Sequence, residues 1–213
     1  MRTQSGLRER KKQQTRQAIA GAAFDLFAEH GFDHVPVADV AMRANVSEAT
    51  VFNYFPTKED LVYGQLEEFE TALIAAIRDR APGQPVTAAF GGFILRTHGL
   101  LSTSDPEARP RLAAISRIIV DSPSLLARER QVYDRYTRTL AQLIAEQRAV
   151  GPDDVESWVV ANAIMGVHRA LVEYVRARVL AGKDGPGLAR SVRARAQRAL
   201  DALDRGLRGY PDG

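Results

Sequence analysis

Cysteine is absent from the 213 residues, which excludes a disulfide framework, a thiolate nucleophile and any zinc or iron–sulfur site built on thiolates. No apolar run approaches the roughly 20 residues that span a bilayer, and the first positions are polar and charged. Neither a signal peptide nor a membrane-spanning helix is expected, so the protein is read as cytoplasmic with no membrane partner. Strand-like stretches are hard to find, and there is no internal repeat or low-complexity segment. Acidic residues are nearly missing from the first 16 positions, where Glu9 stands against Arg2, Arg8, Arg10, Lys11, Lys12 and Arg16. The net charge of +3 is small, so basic character is a local property of the N-terminal end.

What is present is helical periodicity. Apolar residues make up 45% of the chain, enough for one large core or two small ones. The most organised stretch is residues 37 to 55. Val37, Val40 and Ala41 recur at helical spacing, as do Val51 and Tyr54 or Phe55, with Asn45-Val46-Ser47 between the two groups. Asn tolerates the left-handed backbone that stops a helix, and Ser47 can cap the next one through its hydroxyl. Two short helices joined so briefly cross steeply, with Val40, Val46 and Val51 expected at the buried corner. That is a helix-turn-helix arrangement, although spacing alone fits a plain corner in a helical core equally well.

The neighbouring residues discriminate. Thr15-Arg16-Gln17-Ala18-Ile19, Ala22-Ala23-Phe24-Asp25-Leu26-Phe27-Ala28-Glu29-His30-Gly31-Phe32, Asp39-Val40-Ala41, Asn45-Val46-Ser47, Thr50-Val51-Phe52-Asn53-Tyr54-Phe55 and Lys58-Glu59-Asp60-Leu61 follow one known order and spacing. Over about residues 10 to 62 the chain closely resembles the DNA-binding domain of the TetR family of transcriptional regulators. The resemblance implies an all-α fold: a basic flexible arm (1–9), a three-helix helix-turn-helix domain (10–56), a C-terminal helical domain for effector binding and dimerisation (57–208) and a short tail (209–213). It also implies a homodimer on a double-stranded DNA operator, governed by a small hydrophobic effector. Members of the family usually carry Thr where Pro36 stands and often Arg where Ala38 stands, so base readout is expected to shift from the second helix to the third.

On the third helix Glu48, Ala49, Thr50, Phe52 and Asn53 lie away from Val51 and Phe55. By resemblance Thr50, Phe52, Asn53 and Tyr54 occupy DNA-contacting positions. Methyl and ring groups suit thymine methyls, Asn suits adenine, and a tyrosine hydroxyl suits phosphate. With Arg16, Arg43, Ser47 and Lys58 they form the expected DNA-facing set, beside a basic arm suited to phosphates.

Beyond residue 57 long helices are expected over 58–80, 86–101, 107–120, 124–149, 152–181 and 186–207, punctuated by Pro82, Pro85, Pro106, Pro123 and Gly151-Pro152. Gly91-Gly92 inside one of them implies a kink or a close helix approach. Phe93, Arg96, His98, Trp158, Met165 and His168 are the candidate effector contacts. Val160, Ile164, Leu171, Val192, Ala196, Ala199 and Leu203 are the candidate dimer contacts, because two broad apolar helices at the C-terminal end suit a four-helix interface. His30 and His34 flank Gly31, which interrupts the helix they would share, so no metal site is expected; 182–187 reads as a turn, so no nucleotide cofactor is expected either. No nucleophile–base pair stands out, and an enzyme is the weakest reading. An activator or a ligand-insensitive DNA-binding protein is the alternative.

Overall fold

The computed structural model describes residues 3–64, 66–96, 108–185 and 187–206, and every regular element among them is an α-helix. In order these are α1 (Thr3–His30), α2 (Val37–Arg43), α3 (Glu48–Tyr54), α4 (Asp60–Tyr63), α5 (Leu66–Arg78), α6 (Val86–Arg96), α7 (Ala108–Val120), α8 (Pro123–Gln147), α9 (Val155–Leu180) and α10 (Leu188–Gly206). By contacts the chain divides into two units, Met1–Glu67 with Arg117–Arg128, and Glu68–Ser116 with Glu129–Gly213. The first therefore runs past the boundary expected at residue 57 and takes in the corner between α7 and α8.

In the first unit α1 is organised by Ile19, Ala22, Ala23, Leu26 and Phe27, all buried on one stripe. It stops at Gly31, which takes φ +80 and returns its N–H to the Phe27 carbonyl at 2.9 Å. The basic segment expected as a flexible arm is instead the first turns of α1 from Thr3 onward. Its residues 7–14, Leu-Arg-Glu-Arg-Lys-Lys-Gln-Gln, are strong helix formers with no β-branched or turn residue among them.

The turn between α2 and α3 is a two-bond C-cap. Asn45 sits at φ +54, its N–H reaches the Met42 carbonyl at 3.1 Å, and the Val46 N–H reaches the Ala41 carbonyl at 2.9 Å. Ser47 then caps α3, its Oγ accepting from the Thr50 N–H at 3.1 Å. Val40, Ala41 and Val51 are buried beneath the corner, whereas Val46 is only half-buried. Pro36 is the N-cap of α2 and gives no side-chain bond.

The helix expected over 58–80 appears as α4 and α5. Thr57 and Asp60 close the turn leading into α4 reciprocally, the Thr57 N–H donating to Asp60 Oδ2 at 3.0 Å and the Asp60 N–H to Thr57 Oγ1 at 3.3 Å. After Tyr63 the chain reaches Gly64, whose carbonyl accepts from Arg16 Nη2 at 2.7 Å. A Cβ at Gly64 would lie 2.6 Å from the Asp60 carbonyl and 2.8 Å from the Phe55 ring, so the approach requires glycine.

In the second unit α6, α9 and α10 pack together. Leu188, Val192, Ala196 and Leu200 are the buried seam of α10. A Cβ at Gly91 would lie 2.7 Å from Leu200 Cδ1, so of the two expectations for the glycine pair, close helix approach is what the structure has. Asp154 caps α9, accepting from the Ser157 N–H at 2.8 Å, and anchors Arg148 at 2.5 Å. No helix among the described residues is long and apolar enough to cross a membrane.

Candidate functional site

The frame under α3 explains its side chains. Val51 and Phe55 are buried, and the opposite arc exposes Glu48, Ala49, Phe52 and Asn53, with Thr50 and Tyr54 half-buried. Phe52 is 45% exposed although nothing in the helix requires an aromatic there. The Thr50 hydroxyl is held 2.8 Å from Ser47 Oγ, so its methyl is the part left for another role. Met42 is 74% exposed and lies one turn beyond Ala38 on the outer face of α2, which Ala38 shares. Sequence reading missed Met42; the available signal was an apolar residue off the Val37–Val40–Ala41 stripe. Arg43 is exposed and only loosely paired with Glu29 at 3.6 Å, a contact that phosphate can displace.

Two residues expected to face DNA are turned inward. Arg16 Nη1 donates to the Tyr54 carbonyl at 3.0 Å, Nη2 donates to the Gly64 carbonyl at 2.7 Å, and the guanidinium lies 4.6 Å from the Phe55 ring centre. It satisfies an orphan carbonyl at the end of α3 and ties that end to α1, so it positions α3. Lys58 Nζ donates to the Phe32 carbonyl at 2.6 Å and sits 4.4 Å from the Phe32 ring centre. Burial pushes its pKa down, partly offset by Asp33 and Glu59.

The same unit fastens the α7–α8 corner with three polar contacts. Ser122 Oγ donates to Asp33 Oδ1 at 2.9 Å, the Tyr63 hydroxyl donates to the Leu125 carbonyl at 3.1 Å, and Arg128 meets Asp60 at 2.6 Å. α4 is thus held by the first residues of α8, a role for Arg128 that its sequence context did not show.

In the second unit α5, α6, α8 and α9 contribute to a ring cluster that includes His168 of α9. Its ring stacks on Phe69 of α5 at 4.9 Å and 20° and meets Tyr133 of α8 edge-on at 5.7 Å. Phe69 also contacts Phe93 of α6 at 5.3 Å and Tyr136 of α8 at 6.4 Å. His168 is 7% exposed, its Nδ1 has no hydrogen-bond partner among the described residues, and burial lowers its pKa to about 4, so the ring is neutral at pH 7. Buried Arg176 is paired with Glu129 at 2.5 Å and Glu173 at 3.1 Å.

Of the expected effector contacts, Phe93 and His168 share the Phe69 ring, and Met165 is buried one turn before His168. Trp158 does not join them. Ten residues separate it from His168, about 15 Å along the helix, and its indole N–H donates to the Pro152 carbonyl at 3.3 Å. Arg96 is exposed and folds over Gly92, and His98 lies outside the described residues. The residues of the expected dimer seam are covered within the single chain: Val160, Ile164, Leu171, Val192 and Ala196 are buried, and Ala199 and Leu203 are half-buried. Alternation around α9 put those residues on the inner face. The outer face carries Val155 and Val159, 73% and 53% exposed.

The model of bacterial regulatory proteins of the tetR family matches residues 19–63, and the model of the MftR C-terminal domain matches residues 84–207. The chain belongs to the TetR family of transcriptional regulators. It is similar to the HTH-type transcriptional regulator TcmR of Streptomyces glaucescens, 28% identical over 151 residues that cover 70% of this chain and 67% of TcmR. It is also similar to the HTH-type transcriptional repressor Rv3405c of Mycobacterium tuberculosis, 34% identical over 79 residues, 37% of this chain and 42% of that one. Among solved structures SmeT, the repressor of the Stenotrophomonas maltophilia multidrug efflux pump SmeDEF, has the same fold, with a TM-score of 0.55 at 17% identity over 90% of this chain and 89% of SmeT. Within this TetR-family chain, then, the N-terminal match ends at Tyr63, the residue whose hydroxyl holds Leu125.

Proposed function

We propose that the chain is a homodimeric cytoplasmic repressor that binds a pseudopalindromic operator through α3 of each protomer and leaves it when a small hydrophobic effector enters the second unit. The observation that carries this reading is the exposed arc of Glu48, Ala49, Phe52 and Asn53 on a helix capped at its start by Ser47 and held at its end by Arg16. Phe52 and Met42 offer apolar contact to thymine methyls and sugars, Asn53 offers a bidentate pair to adenine, and Arg43 with the first turns of α1 offers cations to phosphate. Two copies of α3 then enter successive major grooves about 34–36 Å apart.

The outer face of α9 supports the dimer. Val155, Val159, Asn162, Gly166 and Ala170 are exposed along one stripe, and a Cβ at Gly166 would meet nothing within 4 Å. An exposed glycine in mid-helix costs about 1 kcal/mol relative to alanine, and a second copy approaching closely there gives it a purpose. Release follows from α8, which carries Leu125 and Arg128, the partners of α4, and two turns later Tyr133 and Tyr136 of the ring cluster. An effector that binds best when α8 is displaced frees α4 and changes the separation of the two reading helices.

Gel-shift titration on the DNA upstream of its own gene tests the reading. The expected result is a complex of two protomers per site that weakens as salt rises and is lost on adding effector, and loss of repression in a reporter strain lacking the gene. Binding that is insensitive to every ligand the protein takes up would remove the effector, and a reporter that falls silent without the gene would make it an activator.

A further inference from the structure

We propose that the ring cluster around His168 takes a neutral, flat aromatic compound bearing a hydroxyl group, with that hydroxyl hydrogen-bonded to His168 Nδ1. The inference rests on the effector-controlled reading above and gives it a chemical class.

The large majority of buried side-chain polar atoms in folded proteins are hydrogen-bonded, and Nδ1 of His168 is buried with no partner among the described residues. Its surroundings are apolar and aromatic. Phe69, Phe93, Tyr133 and Tyr136 come from three other helices, and Phe69 and Tyr133 are only half-buried, so a ligand ring can reach and stack against them. A purely aliphatic ligand forgoes that stacking, and a hydrocarbon leaves Nδ1 without a partner.

Charge argues for neutrality. The guanidiniums beside the cluster are engaged, Arg176 with Glu129 and Glu173 and Arg135 with Glu70 at 3.1 Å. Arg169, 6.0 Å from the Tyr133 ring centre, lies exposed. A carboxylate brought next to His168 would find the buried cation near Tyr133, Arg176, already taken by Glu129 and Glu173. Because burial keeps His168 uncharged, the imidazole offers one donor and one acceptor, and a hydroxyl can serve either tautomer.

Isothermal titration of the full chain at pH 7 with 2-naphthol, naphthalene and 2-naphthoate tests this. A merely greasy site prefers naphthalene, the more apolar compound. The proposal expects the reverse, 2-naphthol binding at least about tenfold more tightly than naphthalene and than 2-naphthoate. The H168F variant keeps a stacking ring and should level 2-naphthol with naphthalene. Equal or inverted affinities in the unaltered protein, no binding by any of the three, or a hydroxyl preference that survives in H168F would overturn it. The operator complex is followed in parallel: 2-naphthol that binds with the expected preference yet leaves the complex intact upholds the ligand class and removes effector control, so the two failures are distinguishable.

Discussion

His168 is a polar ring held where water does not solvate it, and it makes the stability of the chain depend on pH. Its folded pKa, about 4, lies below the ordinary 6.5, so between those values the unfolded chain binds the extra proton. Stability is whole above pH 6.5 and is lost as pH falls through that window, by on the order of 3 kcal/mol. Urea midpoints of the unaltered protein should therefore drop between pH 6.5 and 4, and those of H168F should drop less. Arg16 separates two roles for one cation. R16K cannot bridge two carbonyls and lie on Phe55 at once, so it should cost about 1–2 kcal/mol in thermal unfolding. The salt slope of DNA binding should stay unchanged, where loss of a phosphate contact would make it shallower by about one. Sequence reading put Arg16 and Lys58 among the DNA contacts because basic residues flanking a helix-turn-helix are usually there. The carbonyls that capture them come from positions 38 and 48 residues away for Arg16 and 26 for Lys58, and no local pattern signals that convergence.

At the level of elements, what could be read was what local rules govern. Asn45 and Ser47 announce the stop and start between α2 and α3 through their own backbone chemistry, and both are found in those roles. α1 was legible from about Arg10 to His30 and not in the turns before Arg10, because a helix without a buried face has propensity alone as its signal. α9 shows the opposite failure. Its apolar residues surround more than one side, so the inner face could not be told from the outer until α6 and α10 were in place. The outer stripe gives a prediction at this scale. In an isolated chain G166A would raise helix stability by about 1 kcal/mol; in a dimer with close approach at that point a bulkier G166L should weaken self-association by tenfold or more while leaving the helical circular dichroism signal intact. Sedimentation equilibrium of G166L reads the outcome, and an unchanged dimer would place the interface elsewhere.

For the whole molecule, the division by contacts assigns the first residues of α8 to the first unit and the rest to the unit with the ring cluster, within one helix. The polar contacts Ser122–Asp33, Tyr63–Leu125 and Arg128–Asp60 fix the first part. R128A should accordingly leave ligand affinity nearly unchanged and uncouple it from DNA release, read as operator affinity with and without bound ligand. The central claim is that the exposed arc of α3 reads duplex DNA, and fluorescence anisotropy on the chain's own upstream region tests it most directly. The unaltered protein should bind one fragment at least a hundredfold more tightly than random DNA, and F52A/N53A, which removes only exposed side chains, should unfold at the same temperature while losing that preference. Equal binding of all fragments by the unaltered protein, or a preference that persists in the double variant, would contradict the account.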